Sequence, residues 1–313
     1  MPMRPLDPAL VTRGSDDDPR LGSRLSDEVD EARVCLVGGP DDTGVASSGG
    51  RVGAALGPTE IRRWLYRQTT GLNGELEALA LCDLGDVVPG ATIEQTHAEI
   101  ERVVRERSKS GQTVIFLGGG HDLAYASQAG VFEAEQGRGA VLNLDTHLDV
   151  RPLKEGRVIT SGTPFRRLLE RFGERVAPLV ELGIQPQHNA RAHATFVRDR
   201  GGRIVPLVEL RSAPGVHERL RRELAAATAL ADFSTVSLDL DVAPAAIAPG
   251  TSAPPADGLS ADELSAFCEA AGRQPKTKLL DVMELAPPHD ENGKTARLAA
   301  LCVWRFLVGV GSR

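Results

Sequence analysis

The feature of this chain that most restricts its fold is a regular alternation of short apolar runs and longer amphipathic stretches. Eight runs rich in β-branched residues and leucine predict strands, at residues 34–37, 79–84, 113–117, 140–144, 179–184, 204–207, 236–240 and 278–283. Stretches with helical spacing lie between most of them, for example from Pro58 and over residues 94–111. This alternation is typical of a mostly parallel sheet with helices on both faces. We therefore predict a three-layer α/β/α fold whose ligands bind beyond the carboxyl ends of the strands.

The predicted domain organisation is one catalytic unit preceded by a loosely packed segment. Residues 1–32 mix Asp, Arg, Gly and Ser without a clear period, so we expect this segment to be disordered or loosely packed. Residues 33–313 are expected to form a single domain, because large α/β units often reach this length.

Charge and hydropathy exclude several classes of function. The net charge is −7 and the basic residues are scattered, which argues against a nucleic-acid surface. No apolar run approaches the roughly 18 residues that a membrane span requires, and the first thirty residues lack the apolar core of a secretory signal. The four cysteines form no Cys-x-x-Cys pair and are predicted to be buried reduced thiols. We expect a cytoplasmic protein that acts on a small molecule.

The stretch VLNLDTHLDVRP, residues 141–152, is the most informative part of the sequence for function. It begins as a buried strand and then places Asp145, His147 and Asp149 at every second position. In an extended chain, this spacing directs the three side chains to one face. Two carboxylates and an imidazole on that face would repel each other and lose hydration without a cation or a wet cleft opposite them.

Two further strand ends carry similar chemistry. TVIFLGGGHDLAYAS is a strand, a glycine turn and the start of a helix near His121, and it lacks the Lys-Ser/Thr of a phosphate-binding loop. FSTVSLDLDVAP is a strand that ends in Asp239 and Asp241. The three ends together offer two imidazoles and four carboxylates, which would not be concentrated in one place without a compensating charge.

This set of side chains predicts a metal centre. Carboxylates and imidazoles without a thiolate suit Mn²⁺, with Co²⁺, Ni²⁺ or Zn²⁺ as other possible ions. Four negative charges balance two divalent cations. Six side chains are few ligands for two ions unless some carboxylates bridge them. A water shared by the ions would lose a proton near neutral pH. The predicted cofactor is a pair of Mn²⁺ ions, with His121, Asp145, His147, Asp149, Asp239 and Asp241 as ligands.

The motifs GGGHD, DTHLD and SLDLD resemble the signature motifs of the ureohydrolase superfamily, which contains arginases, agmatinases and formimidoylglutamases. The resemblance runs from about Val34 to the stretch DVMELAPPHDENGKTARLAA near the end. It implies an arginase-like fold, the six ligands shared between two manganese ions, and assembly into a homo-oligomer. It also implies a functional glutamate at Glu284.

Within the superfamily, the stretches SGTPFR, LGIQPQHNA and DLDVAPAAIAPGTSAPPADGLS are most similar to formimidoylglutamases. These enzymes hydrolyse N-formimino-L-glutamate to L-glutamate and formamide in histidine degradation. Arginases and agmatinases carry a Gly-Leu-Asp-Pro sequence after the last metal aspartate, whereas Val242, Ala243 and Pro244 stand here. They also place a histidine where this chain has Phe165. A proton shuttle used on guanidino substrates is therefore predicted to be absent, and Phe165 is expected to form a more apolar wall beside the reacting carbon.

Chemistry and resemblance together predict roles for further residues. Asp149 and Glu284 are the predicted catalytic residues, and the carboxylate of Glu284 would stabilise positive charge on an amidine-like carbon. The carboxylates of the substrate need donors, and Arg151, two residues after Asp149, could bind one of them in a bidentate manner. Ser161 and Thr163 could add hydroxyl donors.

Two alternatives remain open at this point. A hydrolase of guanidino compounds, such as agmatine or a guanidino acid, would use the same metals and release urea. A catalytically silent homologue would act as a structural or regulatory subunit, although all six ligand positions are intact. His188 and His193 are interpreted as helix-surface residues without a role.

Overall fold

The computed structural model of the protein describes residues 3–313. Its strands are β1 (Met3–Arg4), β2 (Val34–Gly38), β3 (Leu81–Val87), β4 (Thr113–Leu117), β5 (Gly139–Leu144), β6 (Val176–Ile184), β7 (Arg203–Pro206), β8 (Phe233–Asp239) and β9 (Thr277–Met283). Its helices are α1 (Thr43–Ser48), α2 (Gly57–Leu65), α3 (Ile93–Lys109), α4 (Ala124–Ala134), α5 (Pro164–Phe172), α6 (Arg191–Arg198), α7 (Leu207–Leu210), α8 (Val216–Ala229), α9 (Ala261–Arg273) and α10 (Lys294–Gly311).

The strands form one sheet in the order β1-β3-β2-β4-β9-β8-β5-β6-β7. All neighbours are parallel except β1, which runs antiparallel to β3. Successive residues of β2 pack into different cores, with Val34 and Leu36 on one face of the sheet and Cys35 and Val37 on the other. Helices cover both faces, which explains why the central strands are continuous apolar runs rather than alternating ones. The predicted three-layer α/β/α fold is confirmed.

The predicted elements agree closely with the observed ones. Each of the eight predicted strands is present, and β4 has the predicted bounds. The helix predicted from Pro58 begins one residue earlier, at Gly57. The amino terminus of α3 is fixed by Thr92, whose side chain accepts a hydrogen bond from the amide of Gln95. Among the strands of residues 3–313, only β1 was not predicted, because two residues are too few to carry a period.

The amino-terminal segment lies along the β3 edge of the sheet in the structure. β1 pairs with β3, and Leu21 is 1% exposed with its amide bonded to the carbonyl of Gln68 at 2.7 Å. These contacts exist because a few apolar side chains in an otherwise polar segment can join the adjacent core. The predicted boundary between a loosely packed segment and a catalytic domain at residue 33 stays a prediction.

Two expectations about the class of protein can be compared with the structure directly. Within residues 3–313, no helix is both long enough and apolar enough to cross a membrane. The four cysteines are free and buried, as predicted. Buried thiols of this kind act as small apolar side chains of the core.

The strand order determines where a ligand can bind. The central strands β4, β9, β8 and β5 are neighbours, although the chain enters β5 directly after β4 and α4. Where the strand order changes in this way, the connecting segments on the two sides run apart from each other. This leaves a crevice at the carboxyl ends of these strands. The segments that follow β4, β5, β8 and β9 all open into that crevice.

Candidate metal centre

The segment that follows β5 brings together its three functional side chains by bending rather than by alternation. Residues 145–147 form bends, and Asp149 has a φ of 44°. The expectation of an extended chain was therefore wrong, although the convergence that it predicted is present. The amide of His147 donates to Oδ1 of Asp145 at 2.6 Å, and the carbonyl of Asp149 accepts from the amide of Phe165 at 3.2 Å. These bonds hold a strained turn in place at the site.

One group of candidate ligands surrounds His121, which begins the segment after β4. Its Nδ1 atom lies 2.9 Å from Oδ2 of Asp149, 3.0 Å from Oδ2 of Asp239 and 3.2 Å from Oδ2 of Asp145. The four ligand atoms all lie within 4.8 Å of one another. One divalent cation fits such a set of donors.

A second group surrounds His147. Its Nδ1 atom lies 3.1 Å from Oδ2 of Asp241 and 3.4 Å from Oδ1 of Asp145. Asp145 therefore presents one oxygen to each group, as a bridging carboxylate would. The structure thus brings all six predicted ligands together in two groups that share one residue.

The electrostatics of the cluster favour bound cations. Burial raises the pKa of Asp239 well above its usual value, and repulsion by Asp241 and Asp145 adds to this effect. Burial raises the pKa of Asp241 to about 7. Burial opposes the charged form of His147, but the carboxylates of Asp241 and Asp145 outweigh it and raise its pKa to about 12. Carboxylates packed in this way are stable in the ionised form at neutral pH only when positive charge lies beside them.

The orientation of His121 is a direct test of whether these residues fit a metal ion. Its Nδ1 is buried without a hydrogen-bond partner among residues 3–313, while Nε2 contacts the hydroxyl of Ser237 at 3.1 Å. The ring thus directs a free nitrogen at three carboxylates, and its other nitrogen is held by a second residue. Metal-binding histidines are held in the same way. The residues fit a metal centre.

Glu284 follows β9 and lies at the edge of the same cluster. Its φ is 70°, its amide donates to the carbonyl of Gly119 at 2.9 Å, and its Oε1 accepts from the amide of His121 at 2.7 Å. Burial raises its pKa to about 7. Although it is only 1% exposed, Glu284 also lines a cavity of about 300 Å³ together with Asp239 and Asp241.

Two cavities adjoin the cluster and form one cleft. The first, of about 300 Å³, is lined by Glu284, Ser161 and Arg151, and the second, of about 530 Å³, continues past Arg151 toward Asn189. His147 and Asp149 line both cavities. The structure therefore places Arg151 and Ser161, two predicted substrate contacts, on the wall of the cleft.

The structure does not bring Thr163 to the cleft. Thr163 is fully buried, and its hydroxyl donates to the carbonyl of Thr160 at 2.7 Å. Its predicted role as a substrate donor therefore lacks a geometric basis, because this bond stabilises the turn before α5. Ser161, from the same segment, does line the cavity of about 300 Å³, and its Oγ lies 3.2 Å from that of Ser48.

Phe165 also lies elsewhere than expected. The sequence predicted an apolar wall beside the reacting carbon, but Phe165 is fully buried and lines neither cavity. Its ring contacts the edge of His121 in a T-shaped arrangement with centroids 5.5 Å apart. The side chain supports a candidate metal ligand from behind, where it can neither donate nor accept a proton.

Asn189 is a site residue that sequence reasoning missed. Its Nδ2 donates to the carbonyls of Thr146 and Gln185, its Oδ1 accepts from the amide of Leu148, and each distance is 2.9 Å. The side chain thus grips the peptides on both sides of His147. An asparagine in a loop gives no sequence signal of this kind, except that it stands in the family-like stretch LGIQPQHNA.

The interpretation as helix-surface residues holds for His193, which lies partly exposed in α6, and is wrong for His188. Both line the 530 Å³ cavity, and the ring of His188 meets that of His147 with centroids 5.7 Å apart. His188 ends a short 3₁₀ turn, Pro186–His188, rather than lying on a helix face. Burial lowers the pKa of both imidazoles, with help from His147 for His188 and from Arg151 for His193.

Comparison with known proteins places this site in a family. The model of the arginase family matches residues 32–309. A formimidoylglutamase of Corynebacterium efficiens is 34% identical over 274 residues, which cover 88% of this chain and 83% of that protein. The structure of Trypanosoma cruzi formiminoglutamase with Mn²⁺ has a TM-score of 0.87 and 33% identity, over 95% of this chain and all (100%) of that one. The structure of Bacillus subtilis formimidoylglutamase has a TM-score of 0.87 and 27% identity, over 98% and 96% of the two chains. The chain belongs to the arginase family.

Proposed function

We propose that this protein is a formimidoylglutamase, a metal-dependent hydrolase that converts N-formimino-L-glutamate and water into L-glutamate and formamide. The observation that carries the proposal is the pair of ligand groups that share Asp145 at the floor of a cleft with Arg151 on its wall. Relatives of that name that match most of the chain support the choice of substrate.

We assign the clustered side chains as ligands of two divalent cations. Oxygen and nitrogen donors without a thiolate favour Mn²⁺, which is also the ion in the Trypanosoma cruzi neighbour. One ion would be held by His121, Asp149 and Asp239, the other by His147 and Asp241, and both by Asp145. The chemistry supplied by such a pair, when bound, is a water of lowered pKa that attacks at neutral pH.

We assign to the carboxylates at the floor of the cleft two tasks: to accept a proton from the attacking water and to stabilise positive charge on the substrate. The oxygen of water bonds to the formimino carbon, the bond from that carbon to the glutamate nitrogen breaks, and the nitrogen takes up a proton. Asp149 lines both cavities, so its Oδ1, the oxygen that does not face His121, can accept a proton from the attacking water. A cationic amidine beside Glu284 would favour the ionised form of this carboxyl group.

Arg151 and Ser161 are the groups that we assign to the glutamate part of the substrate. Arg151 is exposed in the cleft, and its guanidinium makes no hydrogen bond or ion pair with the part of the chain that the structure describes. A planar fork of donors without a partner is suited to binding a carboxylate in a bidentate manner. The same charge would repel the cationic amine of agmatine, which argues against the guanidino alternative.

Substrate turnover by manganese-loaded protein tests the proposal. We expect kcat/KM for N-formimino-L-glutamate to exceed that for agmatine by at least tenfold, with formamide and glutamate as products. A preference for agmatine or for a guanidino acid, with release of urea, would overturn it. No turnover of any of these compounds by metal-loaded protein would support the silent homologue instead.

We further propose that the enzyme works in the cytoplasm as a homo-oligomer. The four free cysteines suit a reducing compartment, because secreted proteins generally pair their thiols. Assembly is proposed from the family resemblance, and sedimentation of the purified protein tests it. A purely monomeric protein at micromolar concentration would contradict this part of the proposal.

A further inference from the structure

Two cationic side chains line the 530 Å³ cavity, Arg151 and Lys154. Neither has an acidic partner among residues 3–313, and the Nζ atom of Lys154 donates only to the carbonyl of Ser47 at 3.2 Å. The acid next to Lys154 in the chain is Glu155, whose carboxylate faces Arg157 at 3.8 Å instead. The cleft therefore has two cationic side chains that form no ion pair with any of residues 3–313.

The backbone holds Lys154 at this position. Residues 154 and 158 form a bridge, with hydrogen bonds of 2.9 Å from the amide of Lys154 and 2.8 Å back from the amide of Val158. Glu155, Gly156 and Arg157 form the tight turn between them, and the first two have φ values of 55° and 71°. Lys154 thus projects from a defined hairpin rather than from an irregular loop.

Arg151 is positioned by the other end of the same segment. Its amide donates to the carbonyl of Gly162 at 2.8 Å. A Cβ at Gly162 would lie 2.8 Å from Cδ of Arg151, so the absence of a side chain there leaves room for the aliphatic part of the arginine. The segment that begins at Arg151 therefore presents both cations to one cavity, and backbone hydrogen bonds fix its position at each of them.

We propose that Arg151 and Lys154 together form a two-cation receptor for a dicarboxylate, in which Lys154 determines specificity for the second carboxylate. This inference rests on the proposed function and names a residue that the function alone does not require. A single arginine can bind one carboxylate of the substrate. The other would then lie without a counter-ion near a floor built from carboxylates, unless Lys154 provides a positive charge.

The test compares three substrates that differ only in charge. They are N-formimino-L-glutamate, N-formimino-L-glutamine, which lacks the side-chain carboxylate, and the corresponding α-amide, which lacks the other. In Lys154→Met, we expect KM for the diacid to rise roughly tenfold, the size of one lost charge-assisted hydrogen bond. One of the two amides lacks the carboxylate that Lys154 binds. Its KM should therefore stay near the wild-type value in Lys154→Met.

Arg151→Met should show the complementary loss, with the other amide as the insensitive substrate. The matched control is Arg157→Met in the same hairpin, where an exposed cation outside the cavity is removed. An equal loss for all three substrates in Lys154→Met would overturn the receptor, and so would an unchanged KM for the diacid.

A binding measurement separates failure of the receptor from failure of the proposed function. L-Glutamate, L-glutamine and the α-amide of L-glutamate are titrated calorimetrically into manganese-loaded wild-type and Lys154→Met protein. If the wild type hydrolyses no formimino compound but binds glutamate more tightly than both amides, and Lys154→Met removes the preference over one of them, the receptor stands and the function falls. If Lys154→Met alters neither preference, or the wild type has none, the receptor falls.

Discussion

The Nε2 atom of His121 lies 3.1 Å from the hydroxyl of Ser237, which in turn donates its proton to Asp281. Because the hydroxyl proton of Ser237 is donated to Asp281, the hydroxyl oxygen accepts a hydrogen bond from Nε2 of His121. The lone pair of Nδ1 is thereby left facing the three carboxylates of its group. This relay sets the tautomer that metal binding requires.

Removing the hydroxyl in Ser237→Ala should weaken manganese binding at the His121 group by roughly 10- to 100-fold, because the ring loses its orientation. Titration of metal-free protein with Mn²⁺ measures this effect. Ser234→Ala is the matched control, since Ser234 is equally buried in β8 but bonds to Thr277 at 3.1 Å, three residues from the relay. Equal metal affinities in the two variants would contradict the role of the relay.

The three hydrogen bonds of Asn189 predict a similar effect on the second group. Asn189→Ala removes the grip on the peptides around His147, so that we expect manganese affinity to fall at this group and kcat to fall with it. Gln187→Ala, which removes a nearby amide bonded only to Gln185 at 2.7 Å, should retain wild-type affinity. A loss of melting temperature in Asn189→Ala without a change in metal affinity would show that the residue is only structural.

Because Asp145 presents one oxygen to each group, its replacement should lower the metal content more than the replacement of a ligand that belongs to one group only. Asp145→Asn should lower the metal content from two ions per chain toward none, whereas Asp241→Asn should lower it toward one. Both changes remove charge with little change in shape. Elemental analysis after dialysis measures the content, and fully active protein without metal would contradict the whole assignment.

The sequence predicted the fold well because the sheet is buried on both faces. The central strands are then largely apolar and buried, and such runs are visible without any tertiary information. The site was predictable for a related reason. His121, Asp145 and Asp239 each lie at or just beyond the end of a buried strand, and polar residues at the carboxyl ends of parallel strands meet at one edge of the sheet.

Residues that act through backbone or aromatic contacts were not predictable from local patterns. Asn189 bonds to peptides more than forty positions away, and no period links it to His147. Thr163 and Phe165 were expected at the cleft from their place in a motif, but a turn before α5 directs both into the interior. Side-chain direction in irregular segments depends on tertiary packing, which a motif does not specify.

Replacing Arg62 should have a large effect on stability rather than on catalysis. It is 1% exposed and bonds through Nε to Asp83 at 2.7 Å and through Nη1 to Asp86 at 2.6 Å. Arg62→Met leaves these acids without a counter-charge in the interior, so the free energy of unfolding should fall by roughly 3–5 kcal/mol. Arg63→Met, which breaks the exposed pair with Glu60, should change it by less than about 1 kcal/mol. Urea unfolding checks both values, and similar losses in the two variants would contradict the difference.

Glu181 in β6 predicts the pH dependence of stability. It is fully buried, its Oε2 accepts from Nδ2 of Asn143 at 2.8 Å, and burial raises its pKa well above the usual value for a glutamate, with repulsion by Asp145 and Asp149 adding to the shift. The folded protein therefore retains a proton that the unfolded chain releases above about pH 4.5. Unfolding releases this proton, so the residue makes the protein less stable as pH rises from that value toward the folded pKa.

Glu181→Gln keeps the shape and the acceptor for Asn143 but cannot titrate. Relative to the wild type, the variant should gain stability with rising pH, at up to about 1.4 kcal/mol per pH unit. Urea unfolding of both proteins at equal metal loading, from about pH 5 to about pH 8, measures the difference. Glu174→Gln at an exposed position should show no such slope, since its carboxyl group is hydrated in both states. A constant difference between Glu181→Gln and the wild type across this range would mean that Glu181 ionises in the folded protein as easily as in water.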